Sequence, residues 1–427
     1  MNAKLAARLV MTILFMLPLC ANAQAWLPDR ETREGPGIRV GDALIFHPGV
    51  VAEGGWDTNP IRESESPEGA GRLRLGAYLD LATRNRERRA EDEEVSLATP
   101  PKLSFRFGLA GFYDFFFSKV PAIKNQRDFG IDTHLNFILF PAGPYSLMLN
   151  AAYNRKIEPY ESGAEMHARD SLRPGIGVQI RPGGGTLMLS LKYDASVVLF
   201  EDPLVAAARD KVTHNAKAEI SWKVLPKTAA VSIVRFSPTH YWRNGTYNND
   251  SMPIRALCGL RGLLTNRFGI SLFVGYGASF YSQGDDFEGV IADGELIFFV
   301  TPTVNVRVGG QRDFVDSFYA NYYVKSGGYA KYSHMFARVF QLSFKAEAFY
   351  RQYSTFSGAY MGFNQLDDHR TETWLAMTLS LEYRATDWMS VLGSAVYKGN
   401  ISDFSYSTGT SVAFQEFEGL LGLRFHY

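Results

Sequence analysis

Apolar and polar residues alternate with a period of two along most of this 427-residue chain, and this pattern excludes most folds. One segment of 72–81 shows it clearly, with Leu73, Leu75, Ala77, Leu79 and Leu81 between Arg72, Arg74, Gly76, Tyr78 and Asp80. Successive side chains of a strand point to opposite faces, whereas helical spacing would place these charges all round a cylinder. The sequence therefore predicts strands with one apolar and one polar face.

Eighteen segments carry this alternation. They begin near residues 47, 72, 103, 127, 146, 172, 186, 211, 229, 253, 268, 288, 304, 323, 339, 371, 389 and 412. An even number of strands is typical of bacterial single-chain membrane barrels, and each membrane-crossing strand needs about 9–11 residues. We therefore predict an all-β fold, a transmembrane antiparallel up-and-down β-barrel of about 18 strands, with 16 strands as the alternative.

The last eleven residues, FEGLLGLRFHY, continue the alternation to the end of the sequence. Phe417, Leu421, Leu423, Phe425 and Tyr427 form the apolar side of this segment. A soluble domain seldom leaves an apolar strand face open at its terminus, because such an edge invites aggregation. The pattern favours a final strand that faces lipid and is paired on both sides.

The first 23 residues have the plan of a secretory signal peptide. Lys4 and Arg8 precede an apolar run from residue 9 to residue 20, and Ala21-Asn22-Ala23 supplies the small residues of a cleavage site. We expect residues 1–23 to be the signal peptide, 24–42 a short periplasmic segment, and 43–427 the barrel. The expected location is the outer membrane of a Gram-negative cell.

The composition narrows the classes of function. Lys and Arg number 44 and Asp and Glu number 44, so there is no basic excess for binding nucleic acid. No apolar run of about 18 residues follows the signal peptide, which predicts no membrane-spanning helix. Cys258 is the one cysteine beyond the signal peptide, so no internal disulfide is expected. We predict no cofactor and no metal site.

The connections between the predicted strands differ in length. Those after even-numbered strands are short, as in PAGP at 141–144 and RPGGG at 181–185, whereas those after odd-numbered strands are long and polar, as at 155–171 and 353–370. Short periplasmic turns and long outer loops are usual for such barrels. The charged connection 83–102 is the exception; it is either a solvated extension or a docking element for a periplasmic partner.

The segment VGDALIFHPGVVAEGGWDTNP, 40–60, resembles the opening of the beta-barrel porin-2-like family of outer-membrane barrels, through Val40, Gly41, Asp42, Pro48 and the Asp57–Asn59 turn. The ending GLRFHY resembles the signal that the barrel-assembly machinery reads, with Gly422, Phe425 and Tyr427 at its key positions. The resemblance implies a barrel of the exopolysaccharide-export type. Its implied partners are outer-membrane lipid, the assembly machinery, a periplasmic polysaccharide-export protein, and either a hydrated polysaccharide or small solutes.

The polar faces of the strands predict the residues that line the lumen. They include Arg74, Tyr78, Arg106, Asp132, His134, Arg173, Lys192, Asp194, Lys217, Glu219, Arg255, Arg261, Arg307, Lys345 and Glu347. These charges either pair across strands and hold a hydrated wall, or form a sliding surface on which Arg binds acidic sugars. The main expectation is export of exopolysaccharide, with a diffusion porin for small solutes as the alternative and a structural or adhesive surface barrel as a further one.

An enzyme is not expected. Catalytic barrels need a histidine beside a nucleophile or a carboxylate at the wall or rim. The eight histidines include no His-x-x-x-His pair, which gives metal ligation little support. Asp132 and His134 lie two apart on one face and form the best catalytic-looking pair, but an ion pair in the lumen is the simpler interpretation.

Overall fold

The computed structural model describes residues 35–83, 102–124, 128–159, 166–203, 206, 209–242, 249–317, 320–354, 370–405 and 411–427. The strands are β1 Ile38–Val40, β2 Leu44–Asp57, β3 Ala70–Thr83, β4 Leu103–Phe117, β5 Asp128–Leu139, β6 Tyr145–Pro159, β7 Met166–Ile180, β8 Leu187–Phe200, β9 Lys211–Leu225, β10 Thr228–Phe236, β11 Thr239–Tyr241, β12 Ser251–Leu263, β13 Phe268–Tyr281, β14 Phe287–Thr301, β15 Val304–Asp316, β16 Tyr322–Phe336, β17 Phe340–Tyr353, β18 Thr371–Thr386, β19 Met389–Ile401 and β20 Phe414–His426. Short helical turns at Pro121–Lys124 and Pro182–Gly185 lie between strands.

These strands form one closed antiparallel barrel. Apart from β10 and β11, which do not pair with each other, each strand from β2 to β20 pairs with its neighbours in sequence, and β2 pairs with β20 to close the ring. β10 and β11 both lie between β9 and β12, so they are two parts of one barrel strand. The described residues therefore form an 18-strand barrel, and the predicted fold class is confirmed.

The predicted strand positions agree with the structure within a few residues, with one clear exception. β7 begins at Met166 rather than near residue 172, and β6 continues to Pro159. The expected loop 155–171 was therefore wrong in its bounds, and only 160–165 lies outside the described residues. The outer ends of β6 and β7 extend beyond the lipid, where neither face of a strand needs to be apolar. The alternation therefore stops there, although the backbone pairing of the two strands continues.

An apolar belt covers the outside of the barrel. Leu191, Trp222 and Leu421 are 63%, 57% and 71% exposed, although each is a large apolar residue in the middle or end of a strand. The neighbouring residues along each strand point inward. A closed barrel with such a belt spans a lipid bilayer, because closure satisfies every backbone hydrogen bond without water. This protein is thus an outer-membrane β-barrel.

The two ends of the barrel differ. Short turns such as Pro226–Lys227 join strands at the end where β2 begins and β20 finishes, which is the periplasmic end of barrels of this kind. The connection 83–102 also belongs to this end, and its residues 84–101 lie outside the described residues. No helix in the described ranges is long and apolar enough to cross a membrane.

β1 extends the seam where the barrel closes. Residues 49–57 of β2 pair with 418–426 of β20, and β1 pairs with Leu44–Phe46 just beyond the end of β20. The backbone N–H of Tyr427 donates to the carbonyl of Pro48 at 3.0 Å. The last residue of the sequence therefore lies between β20 and the β1–β2 hairpin. The signal peptide, residues 1–23, and residues 24–34 of the expected periplasmic segment lie outside the described residues, and that division remains a prediction.

Candidate functional site

The register of the strands defines the inward face of the barrel. Directly opposed residues of paired strands project to the same face of the sheet. Passing from pair to pair round the ring therefore identifies one common face, which includes Lys192 and Lys217 on β8 and β9 and Val51 and Arg424 at the seam. Most of the exposed apolar residues occupy the other face. All fifteen residues that the sequence predicted for the lumen lie at inward positions of this register. Their role in transport remains a proposal.

Charged residues near the seam form buried ion pairs. Arg74 Nε lies 2.9 Å from Asp114 Oδ1, and Arg106 lies 2.9 Å from Asp80, with 11–13% of each side chain exposed. Deeper still, Arg424 lies 2.5 Å from Glu382 with 1% and 4% exposed. Buried charges are stable only when paired and hydrogen-bonded. These groups therefore stabilise the wall and are poorly placed to meet a solute.

Carboxylates outnumber basic groups on this part of the wall, which we call the seam wall and define as the inward residues of β18–β20 and β2–β5. Its described acidic side chains are Glu372, Glu382, Glu416, Glu418, Glu53, Asp57, Asp80, Asp114 and Asp132, and its basic ones are Arg384, Lys398, Arg424, Arg72, Arg74 and Arg106. The residues predicted for the lumen did not include Glu53, Asp57, Asp114, Glu372 and Glu416, although the same alternation could have found them.

The opposite side of the lumen is basic. We call it the basic wall and define it as the inward residues of β7–β12. Its basic members are Arg169, Arg173, Lys192, Lys211, Lys217, Lys223, Arg235, Arg255 and Arg261, and its acidic members are Asp194 and Glu219. β9 and β19 are nine positions apart in the ring of eighteen strands, so strands β8–β12 of the basic wall face the part of the seam wall formed by β18–β20 and β2. Opposed charged walls create a field across the lumen.

Four members of the basic wall lie in one row across neighbouring strands. Lys192 is opposite Lys217, Lys217 is opposite Arg235, and Arg235 is opposite Arg255. We call these four residues the central basic row. Like charges directly opposite one another destabilise a sheet, so such a row needs a compensating reason.

Partners are present for two members of the central basic row. Lys217 Nζ lies 2.5 Å from Glu219, and Arg255 Nε lies 2.9 Å from Asp313. Lys192 and Arg235 are exposed to the lumen. Arg261, below the row, contacts Glu219 at 3.0 Å and keeps 46% of its side chain exposed. The basic wall therefore presents solvated cations, whereas the seam wall buries its ion pairs.

Aromatic rings at the outer mouth are covered by guanidinium groups. Arg351 lies over Tyr323 at 5.5 Å and over Trp374 at 4.9 Å, and Arg370 lies over Tyr353 at 4.5 Å. Tyr353 is 3% exposed. These rings are engaged in cation–π contacts, so a guanidinium group covers one face of each ring. Four more aromatic residues of the connections 155–171 and 353–370, Tyr160, Phe356, Tyr360 and Phe363, lie outside the described residues.

The catalytic-looking pair of the sequence is divided between different partners. Asp132 accepts a hydrogen bond from Asn154 Nδ2 at 2.9 Å, whereas His134 Nε2 lies 3.8 Å from Asp80. In these contacts Asp132 and His134 therefore have different partners.

A serine and a histidine do meet at the periplasmic rim. Ser390 Oγ lies 3.0 Å from His426 Nε2. Ser390 is fully buried, however, and His426 Nδ1 has no hydrogen-bond partner within the described chain. A catalytic triad needs a reachable nucleophile and a third group that orients the histidine, so this pair is a structural contact. Within the described ranges there is also no cluster of His, Cys, Asp and Glu suited to a metal ion.

Several solved outer-membrane barrels resemble this chain. OccAB3 of Acinetobacter baumannii is 10% identical, with 91% of this chain and 100% of that chain covered and a TM-score of 0.47. OpdK of Pseudomonas aeruginosa, solved with vanillate, is 9% identical, with 90% and 99% covered and a TM-score of 0.45. OccK2 (OpdF) of the same organism, solved with glucuronate, is 9% identical, with 89% and 98% covered and a TM-score of 0.45. At this level of similarity, solute identity does not carry over between barrels.

No protein-family model matches the sequence, and a search of curated proteins gives no match. The resemblance of residues 40–60 to beta-barrel porin-2-like proteins therefore has no family match to support it. The coarser statement, that the chain is an outer-membrane β-barrel, rests on the closed ring and its apolar belt.

Proposed function

We propose that this protein is a passive aqueous channel for small hydrophilic solutes and that it favours anions over cations. The observation that carries the proposal is the central basic row, in which Lys192, Lys217, Arg235 and Arg255 lie side by side on four neighbouring strands. Solvated cations along a low-dielectric wall raise the local concentration of anions. Many weak contacts also let a solute pass where one strong site would trap it.

Small solutes fit the lumen better than the polysaccharide that the sequence suggested. Aromatic rings can stack on the sugars of a passing chain, but Tyr323, Tyr353 and Trp374 each have a guanidinium group over the ring. The field between the two walls would also hold a charged polymer against the basic side at many points at once. The diffusion channel is therefore favoured over export, and a periplasmic export partner is not part of the proposal.

The test is ion selectivity in a planar bilayer. The expected result for the wild-type barrel is a reversal potential in a KCl gradient that reports chloride preference over potassium. One unit charge at about 7 Å contributes about 0.6 kcal/mol in water. Reversing Lys192 and Arg235 to Glu changes four such units, and screening over about 8 Å reduces their sum to about 1 kcal/mol. The chloride preference of this double variant should fall about fivefold.

Lys227→Glu is the matched control, because Lys227 lies in a periplasmic turn and its ammonium donates to Asn266 outside the lumen. Its selectivity should equal that of the wild type. Absence of conductance, or selectivity unchanged by the double substitution, would contradict the proposal. If clean deletion of the gene removed surface polysaccharide while its synthesis stayed intact, the result would support polysaccharide export instead of a diffusion channel.

A further inference from the structure

The pairing of β14 with β15 ends before the outer ends of these two strands. Their last opposed residues toward the cell exterior are Ala292 and Arg312. Arg312 is the ninth residue of β15, about 21 Å above the periplasmic turn and near the outer edge of the apolar band. Beyond it, 287–291 of β14 stays paired with β13, and 313–316 of β15 stays paired with 322–325 of β16. We call these ends of β15 and β16 the hairpin tip; its register in the described strands includes no pair with β14.

The hairpin tip lies on the inner side of the barrel wall. Asp316 accepts hydrogen bonds from Tyr281 Oη at 3.0 Å and from Ser251 Oγ at 3.2 Å. Arg255 Nε donates to Asp313 at 2.9 Å. Ser251, Arg255 and Tyr281 occupy inward positions on β12 and β13, which are three and two strands away from β15 in the ring. The tip therefore crosses the inner face of β14 and β13 instead of continuing the wall.

Phe314 anchors the hairpin tip through apolar packing. Its ring is fully buried, has its centroid 4.3 Å from that of Phe287, and shares a cluster with Ile291, an inward residue of β14. Val324 packs against the same cluster, so β15 and β16 both contribute to the face that meets the wall. Two packed sheets lie about 10 Å apart. The tip therefore adds a second layer inside the barrel and narrows the lumen on this side by about that thickness.

The central basic row continues on this side into two glycines. Arg255 is opposite Gly277, and Gly277 is opposite Gly289 on β14. A Cβ atom on Gly277 would lie 2.7 Å from Cε1 of Phe314, too close for either to stay in place. The guanidinium carbon of Arg255 lies 3.8 Å from the centroid of the same ring. The Phe314 ring therefore occupies the space that the row leaves without side chains, and it places the tip at the height of the row.

The hairpin tip also changes the charge of the central basic row. The carboxylate of Asp313 lies 2.9 Å from Arg255, and 22% and 15% of the two side chains are exposed. Arg255 also donates to the backbone carbonyl of Phe314 at 2.6 Å. Lys192 and Arg235, in contrast, are exposed to the lumen. Because opposite charges in contact largely cancel at a distance, the tip lowers by one the positive charge that the row presents to a solute.

We propose that Asp313 and Phe314 determine the selectivity of the channel. Phe314 holds the hairpin tip against the wall and so sets the width of the lumen beside the central basic row. Asp313 sets how many cations of the row a solute meets. The inference deepens the function proposed above and rests on it, because width and charge select a solute only in a lumen that conducts. The solutes selected are anions small enough to pass beside the tip.

Asp313→Asn tests the charge. Removing one negative charge should raise the chloride preference about 1.5-fold, which is a quarter on the logarithmic scale of the change expected for the four units reversed above. The amide keeps an oxygen that can accept from Arg255, so the tip should stay in place. Asp387→Asn is the matched control, since Asp387 lies in a periplasmic turn with 89% of its side chain exposed, and it should leave the preference unchanged. An unchanged or lower preference in Asp313→Asn would refute the role of Asp313.

Gly277→Ala and Phe314→Ala test the width. The first places a methyl group against the Phe314 ring and the second removes the ring, so both should release the hairpin tip. The conductance and the size of the largest poly(ethylene glycol) that enters the lumen should then exceed those of the wild type. Gly54→Ala is the control, because a Cβ atom there meets nothing within 4 Å. If both variants are folded by their heat-modifiable migration and keep the wild-type conductance and exclusion limit, the role of Phe314 is refuted.

Cysteine labelling follows the hairpin tip without any conductance. Ser279 is fully buried and opposite Phe287, and Cys258, which is exposed, is first replaced by serine. A water-soluble maleimide should label Ser279→Cys several-fold faster when Phe314→Ala is also present, and equal rates would refute anchoring by Phe314. A barrel that shows faster labelling but no conductance would reject the proposed channel while supporting the position of the tip. An anion-selective barrel in which the substitutions at Asp313, Gly277 and Phe314 change nothing would retain the channel and reject this inference.

Discussion

Substitution of Leu191 by Arg should destabilise the barrel in a bilayer by about 2–4 kcal/mol. Leu191 lies on the outer face and is 63% exposed. It is the fifth residue of β8, counted from the periplasmic turn. With about 3.4 Å per residue and a tilt of about 40°, its height above that turn is about 10 Å. An apolar band about 25 Å tall has its centre near about 12 Å, so the new charge would lie close to the midplane.

The assay is urea unfolding of the barrel in phosphatidylcholine vesicles, followed by tryptophan fluorescence and by heat-modifiable migration. Lys192→Arg is the matched control, since it places the same guanidinium one residue further along, on the inward face. It should change the free energy of unfolding by less than about 0.5 kcal/mol. Equal stabilities of Leu191→Arg and Lys192→Arg would refute the assignment of faces, and with it the central basic row.

Three further predictions concern the seam. Arg424→Leu leaves Glu382 buried without its partner 2.5 Å away and should cost about 3–5 kcal/mol in the same urea assay, part of which Glu382→Gln should restore in the double variant. Gly55→Ala would place a methyl group 1.8 Å from the Gly419 carbonyl oxygen, whereas Gly54→Ala meets nothing within 4 Å, so only the first should lower the melting temperature of the barrel; equal effects would argue against tight closure there. Deleting Tyr427 should slow insertion into the outer membrane, and normal amounts of heat-modifiable protein would reject an assembly signal at this end.

The strand pattern could be predicted from sequence because lipid imposes a strict rule on it. Leu191, Tyr193 and Ile220 are exposed on the outer face, where lipid favours apolar surface. The residues that alternate with them along each strand face the lumen and need not be apolar. Each strand repeats this constraint, so eighteen segments could be counted without knowing their partners. β1 was missed because its three residues carry no such rule, and the bounds of the 155–171 loop were wrong because the outer ends of β6 and β7 lie beyond the lipid.

The lumen could be predicted residue by residue but not as an arrangement. Alternation alone placed Lys192, Lys217 and Arg255 on inward faces, and the structure has them there. It could not show that Arg235 completes a row with them, because neighbours across strands depend on register, and register depends on the lengths of turns. The sequence also could not predict that Arg351 and Arg370 lie over the aromatic rings at the outer mouth, because these contacts join distant parts of the sequence.

The net charge of the chain does not indicate how charged residues are distributed round the lumen. Basic and acidic residues are equal in number over the whole sequence, which would suggest a lumen without preference. Around the ring, however, basic side chains are concentrated on β7–β12 and carboxylates on the strands that flank the seam. The seam carboxylates are largely buried with their partners, as Glu416 is with Lys398 at 3.0 Å, while Lys192 and Arg235 stay in water. In the proposed channel a passing solute would therefore meet the cations more than the anions, and selectivity would depend on which charges are solvated rather than on how many there are.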